Sequence, residues 1–226
     1  MGAETWAEVD RYFTERLGLA DAALDAALSE SAAAGLPAIA VSAPQGKLLN
    51  LLARQCGARR ILEIGTLAGY SGIWLARALP QDGRLVTLEV DVRHAEVARR
   101  NFVQAGLASR VDLRVGPALE TLPRLHAEGI EPFDLTFIDA DKVSTPQYLE
   151  WAIRLSRIGS VIVIDNVVRN GAVLLSSSGD AGVQGVRHAI DMLSTDERLE
   201  ATAIQTVGDK GYDGFALAVV VSAVGR

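Results

Sequence analysis

Two acidic clusters stand where apolar runs of strand length give way to loop: Phe137-Ile138-Asp139-Ala140-Asp141-Lys142 and Val163-Ile164-Asp165-Asn166. Asp139, Asp165 and Asn166 offer hard oxygen donors, a set that suits Mg²⁺, Mn²⁺ or Ca²⁺ rather than zinc. Lys142, beside them, is a side chain able to carry a proton. A divalent cation next to a basic group is a means of ionising a weakly acidic hydroxyl. A lone aspartate at a strand end usually caps its loop, whereas two such clusters with a neighbouring lysine favour chemistry. Lys142 also has a plainer reading, as an ion-pair partner of Asp139 or Asp141.

A third motif, Glu63-Ile64-Gly65-Thr66-Leu67-Ala68-Gly69-Tyr70-Ser71, is a glycine turn of the kind that joins a strand to a helix beside a nucleotide-like ligand. It is not the dinucleotide fingerprint, because Leu67 stands where a second glycine would let backbone amides reach a pyrophosphate. Glu63, Glu89 and Asp141 bring acidic groups to the same crevice. They disfavour a pyrophosphate and suit a ligand with an ammonium, a sulfonium and a ribose diol. S-adenosylmethionine meets that description. The plainer reading leaves Glu63 and Glu89 as rim charges.

The elements that must position these groups alternate between strand-length apolar runs and longer helical periods, which predicts successive βαβ units. Strands are expected at Arg60 to Ile64, Arg84 to Leu88, Val111 to Val115, Asp134 to Asp139 and Ser160 to Ile164. Helices are expected at Ser71 to Leu79, Arg93 to Ala105, Ala118 to Ala127 and Thr145 to Arg157. Leu199 to Val207 and Phe215 to Val221 are joined by Gly208 to Gly214, too short for a crossover helix, so they pair as an antiparallel hairpin. The fold class is therefore α/β, a doubly wound, mostly parallel sheet of seven strands. Glu4 to Arg16, Asp21 to Ala34 and Gln45 to Cys56 have helical composition and form a cap at 1–56 on a core at 57–226, within a single domain, 1–226. The segment from Arg169 to Gly185, with the low-complexity run Leu174 to Gly179, is expected to be a loop that shapes the pocket.

Composition excludes other classes. A formal charge of -6 with no Lys/Arg block argues against nucleic acid. Glu4, Glu8 and Asp10 stand where a signal peptide would be basic and then apolar, and no apolar run reaches the ~18 to 20 residues of a membrane span. Cys56 is the single cysteine, so no intramolecular disulfide can form, and a soluble, cytoplasmic protein is expected. His94, His126 and His188 lack metal-ligand spacing and read as structural or exposed.

Glu63-Ile64-Gly65-Thr66…Gly69-Tyr70-Ser71, Gly116-Pro117-Ala118, the block from Phe137 to Lys142, and Asp165-Asn166…Asn170-Gly171 together resemble the signature blocks of the cation-dependent O-methyltransferases of the caffeoyl-CoA and catechol type. The resemblance runs from about Val41 to the final hairpin. It implies the Rossmann-like class I methyltransferase fold, S-adenosylmethionine as methyl donor, and a homodimer. It gives Val41, Glu63, Gly65, Thr66 and Ser71 as cofactor contacts, Glu89 as the acid on the ribose, Ala118 at the adenine, and Asp141 at the methionine end. Asp139, Asp165 and Asn166 would hold the metal, with Asp139 also in the cofactor and catalytic set. Lys142 would be the catalytic lysine, touching substrate, and Asn170 a substrate contact. Where plant caffeoyl-CoA enzymes usually have tryptophan before that asparagine, this chain has Arg169. Arg169 reads as solvated surface or as a contact for an acidic or CoA-bearing acceptor.

Near-octahedral Mg²⁺ takes about six oxygens, so three protein ligands leave room for two adjacent hydroxyls and a water. A vicinal aromatic diol is accordingly the expected acceptor, with Lys142 as base. Two alternatives are a nucleotide-dependent oxidoreductase, disfavoured by the missing middle glycine, and a non-catalytic protein that keeps the cofactor pocket.

Overall fold

The computed structural model describes residues 2–222. Three helices come first: α1 (Ala3–Arg16), α2 (Ala22–Ala33) and α3 (Ala43–Gln55). The core then alternates β1 (Arg60–Ile64), α4 (Tyr70–Ala76), β2 (Arg84–Glu89), α5 (Val92–Gln104), β3 (Val111–Val115), α6 (Ala118–Ala127), β4 (Phe133–Ile138), α7 (Thr145–Arg154) and β5 (Ser156–Asp165). It ends with α8 (Ala181–Thr195), β6 (Leu199–Gly208) and β7 (Gly211–Val220). The strand order is β3-β2-β1-β4-β5-β7-β6. The first five strands are parallel, and β7 runs antiparallel to both β5 and β6. This is the doubly wound α/β sheet with a C-terminal antiparallel hairpin that the sequence predicts.

Ile61, Leu62, Glu63 and Ile64 of β1 and all six residues of β4 are buried, as central parallel strands covered on both faces must be. On one face Leu62, Ile64, Leu122, Leu149 and Ile162 join one core cluster; on the other Ile61, Leu49, Trp74, Phe102 and Phe137 join a second. Because β2 and β3 lie to one side of β1, and β4 and β5 to the other, the order reverses between β1 and β4. The carboxyl ends of those two strands are where doubly wound sheets hold ligands.

The cap is tied down by specific contacts. Asp21 caps α2 and also accepts from Arg77 at the end of α4, at 2.6 Å. The Asn50 amide of α3 donates to the Trp74 carbonyl at 2.8 Å, and Gly46 lets α3 lie against the Trp74 ring, where a Cβ would come within 2.3 Å.

Several boundaries differ from expectation, among them the fourth helix, which ends at Ala76 and not Leu79, and the fifth strand, which begins at Ser156 and not Ser160; three differences have a visible cause. The helix expected to run to Arg157 stops at Arg154, because the Asp134 side chain accepts from Arg157 Nε at 2.9 Å and from Arg59 N and Arg60 N at 2.7 and 2.9 Å. Those bonds tie the start of β5 to β4 and β1. The connection expected at Gly208 to Gly214 shrinks to Asp209-Lys210, since Gly208, Gly211 and Gly214 lie within the strands. Gly214 is where strands approach closely, a Cβ there standing 2.3 Å from the Ile204 carbonyl oxygen. The expected loop from Arg169 to Gly185 ends early, at α8, capped by Asp180 accepting from Gly182 N and Val183 N. Among the described residues no helix is long and apolar enough to cross a membrane.

Candidate active site

Along the carboxyl edge of the sheet a cavity of about 1070 Å³ opens, roofed by the segment before α3 and by the tip of the β6–β7 hairpin. Pockets for one small ligand run from roughly 300 to 1,000 Å³. The cavity therefore has room for a large, extended ligand.

Asp139 follows β4 directly, its N–H donating to the Ile64 carbonyl at 2.8 Å and so continuing the ladder past the strand end. Asp165 ends β5 and is 4% exposed. Lys142 Nζ donates to Asp139 Oδ1 at 2.8 Å, with its side chain 12% exposed. Burial, and then the charge of Asp139, push the Asp165 carboxyl up to about 7, while Lys142, the Asn166 N–H and the Gln45 amide act against them. Asn166 has φ 58, a left-handed turn that follows Asp165 directly. Among the described residues no three His, Cys, Asp or Glu side chains gather as a metal site.

The glycine turn is explained by packing. Gly65 has φ 102, and a Cβ on it would lie 2.2 Å from the Asp139 carbonyl oxygen, so its glycine lets the loops after β1 and β4 meet. Glu89 Oε2 accepts from Thr66 N and Leu67 N at 3.2 and 2.8 Å, and Oε1 accepts from Asp91 N at 2.9 Å. The same carboxylate thus braces the turn from the end of β2 while lining the cavity. Asp141 accepts from the Tyr148 hydroxyl at 2.6 Å and from Ser144 N at 2.9 Å. Burial pushes its carboxyl up, but these bonds prevail and hold it below the usual carboxylate range.

Val41, Gly65, Thr66, Ser71, Glu89, Ala118, Asp139, Asp141, Lys142, Asp165, Asn166 and Arg169 all line this one cavity. Two expected residues do not. Glu63 is fully buried behind the wall, with Oε1 accepting from Ser71 Oγ and Oε2 from Thr87 Oγ1, both at 2.6 Å. It holds a lining residue in place without lining the cavity itself. Asn170 is exposed outside the cavity, because successive left-handed residues, Arg169 at φ 55 and Asn170 at φ 54, turn the chain there.

Several lining residues escape sequence reasoning. His94 comes 3.6 Å from Glu89 Oε1, and Tyr70, Tyr148 and Gln45 complete the wall. Asp10 of α1 arrives from far along the chain, accepting from Asp209 N at 3.0 Å. His94 carried a usable signal, lying three residues after the helix-capping Asp91 that follows the strand-end Glu89; Asp10 carried none.

The O-methyltransferase family model matches residues 20–218. A catechol O-methyltransferase of Niastella koreensis is 53% identical over 97% of this chain and 100% of its own length. One from Mycobacterium tuberculosis is 57% identical over 94% of this chain and 95% of its own. Among solved structures, the O-methyltransferase TomG from Streptomyces achromogenes, in complex with SAM, superimposes with a TM-score of 0.96 at 54% identity, covering 98% of this chain and 100% of that one. The O-methyltransferase from Bacillus cereus, in complex with SAH, gives 0.95 at 53% identity, covering 96% and 99%. Matched along most of its length by the family model and by full-length relatives, the chain belongs to the O-methyltransferase family.

Proposed function

We propose that this chain transfers the methyl group of S-adenosylmethionine to one hydroxyl of a catechol-like acceptor, with Asp139, Asp165 and Asn166 holding a divalent cation, Mg²⁺ first and Mn²⁺ or Ca²⁺ as substitutes. The observation that carries it is a buried carboxylate, Asp165, facing Asp139 at the rim of the cavity with Lys142 2.8 Å from Asp139. Two carboxylates and an amide, Asp165 buried with Asp139 and Asn166 part-exposed, fit a hard cation by donor chemistry, since Lys142 brings one positive charge to two neighbouring acids. Names of relatives, catechol O-methyltransferases, agree with the acceptor class.

When bound, S-adenosylmethionine supplies a sulfonium methyl, and the cation supplies a Lewis acid that lowers the pKa of a phenol of ordinary pKa ~10. The protein's part is orientation, proton removal and exclusion of water. Glu89 and Asp141 provide acids for a diol and an ammonium; Val41, Thr66, Ser71 and Ala118 shape the wall between them. Lys142, once neutral, accepts the acceptor hydroxyl's proton at Nζ, where Asp139 stabilises the resulting ammonium. A bound S-adenosylmethionine would give its methyl group to that oxygen, the carbon–sulfur bond breaking with its electron pair left on sulfur. Holding the nucleophile and methyl group in line contributes up to ~7 to 11 kcal/mol in favourable cases.

Labelled S-adenosylmethionine with a panel of vicinal diols and monophenols, with Mg²⁺ or with excess chelator, tests the proposal. Transfer to the diols that stops on chelation, with none to monophenols, is expected. Transfer that ignores the chelator contradicts the cation assignment.

A further inference from the structure

We propose that Arg169 is an anion anchor for the acceptor, so that the chain prefers catechols bearing a carboxylate. This rests on the methyltransferase reading above. The cavity wall is rich in acids, with Asp10, Glu89, Asp141, Asp209 and Asp213 on it besides Asp139 and Asp165. An acceptor carboxylate entering such a wall needs a cation that is not already spoken for.

Lys142 is engaged with Asp139 at 2.8 Å, and Lys210, exposed at the hairpin tip, donates to the Ala38 carbonyl at 3.3 Å without a carboxylate partner among the described residues. Arg169 differs. It lines the cavity half-buried; among the described residues no carboxylate pairs with its guanidinium, and its Nε is shut away in protein, so a ligand would meet its terminal nitrogens. A guanidinium is the side chain best matched to a carboxylate, which it can grip through two parallel N–H bonds.

The backbone is built to hold it there. Asp213 Oδ1 accepts from Val168 N, Arg169 N and Gly214 N, each at 3.0 Å, and so fastens the turn after β5 to β7. That turn takes Arg169 and Asn170 through left-handed conformations uncommon for residues other than glycine. Strain of this kind persists where the surroundings over-determine it, often at ligand clamps. Asn166 lies only three residues earlier, so one short segment carries both that residue and Arg169 to the cavity.

The test compares 3,4-dihydroxybenzoate with the neutral 3,4-dihydroxybenzamide in the native protein, Arg169→Met and Arg169→Lys, measuring kcat and KM with S-adenosylmethionine and Mg²⁺. Binding of each acceptor to protein loaded with Mg²⁺ and S-adenosylhomocysteine is followed by calorimetry. The native protein is expected to bind the acid about 10- to 100-fold more tightly than the amide, as a charge-assisted pair implies. Arg169→Met brings that ratio close to one by KM and calorimetry alike, and Arg169→Lys restores part of it. A native ratio near one, or a ratio that survives in Arg169→Met, overturns the anchor and leaves the methyltransferase reading standing. Equal weakening of both acceptors in Arg169→Met assigns the residue to structure and also overturns it. Methylation of neither acceptor by the native protein overturns both.

Discussion

Glu63 and Lys142 do opposite work. Glu63 is sealed under the glycine turn with, among the described residues, two hydroxyls donating to it, and burial pushes its carboxyl up to about 7 despite those bonds. Its folded pKa lies above the ordinary 4.5, so between these values the folded state holds more protons than the unfolded one. Its contribution to stability is full below about 4.5 and is lost as pH rises through about 7. At 1.36 kcal/mol per unit the loss is on the order of 3 kcal/mol. Thermal unfolding of the ligand-free protein should therefore show Tm falling from pH 5 to pH 8, with the fall reduced in Glu63→Gln; an unchanged slope in that variant would remove the assignment. Lys142 carries its consequence in rate. Lys142→Met is expected to lower kcat by ~10² to 10⁴ with little change in affinity for S-adenosylhomocysteine. A variant that keeps full kcat makes the lysine only Asp139's ion-pair partner. The strand-end aspartates and the lysine were legible because each lies within a few residues of an apolar run. Glu63 was legible as an acid but not as a buried one: it adjoins the glycine turn in sequence, and only the packing of Ser71 and Thr87 shows that it faces inward.

The loops after β1 and β4 must touch for the site to exist, and Gly65 is where they do. Gly65→Ala places a Cβ against the Asp139 carbonyl oxygen at a backbone angle unsuited to alanine, and is expected to destabilise by at least ~1 to 3 kcal/mol. Gly159→Ala, also at positive φ but with only the Arg157 side chain near its Cβ, at 3.8 Å, serves as the comparison. Chemical denaturation of both variants checks this: a larger loss at Gly159 would contradict the close-approach account. Strand and helix boundaries in the parallel core followed the hydrophobic pattern closely, because buried parallel strands have little freedom in composition. The pattern failed where local signals carried two meanings. Gly208, Gly211 and Gly214 look like a long turn and are strand residues, and Arg157 looks like the end of a helix until Asp134 holds it in β5.

As a whole, the molecule puts its two most distant parts on one cavity. Asp10 of α1 meets Asp209 at the hairpin tip, across nearly the full length of the chain, and no local pattern foretells that closure. Because the cavity joins cap, sheet edge and hairpin, a ligand there links all three. S-adenosylhomocysteine at 100 times its Kd is expected to raise stability by about 2.7 kcal/mol, read as a rise in Tm; no rise would deny that this cavity is the cofactor site. The cation remains the part of the proposal on which the acceptor chemistry depends. Mn²⁺ titration of the metal-stripped protein, followed by electron paramagnetic resonance with catechol and S-adenosylhomocysteine present, should show one tightly bound ion per chain. That ion should be lost in Asp165→Ala, together with methyl transfer. Methylation of a catechol by protein that binds no ion, or undiminished ion binding in Asp165→Ala, would contradict the account.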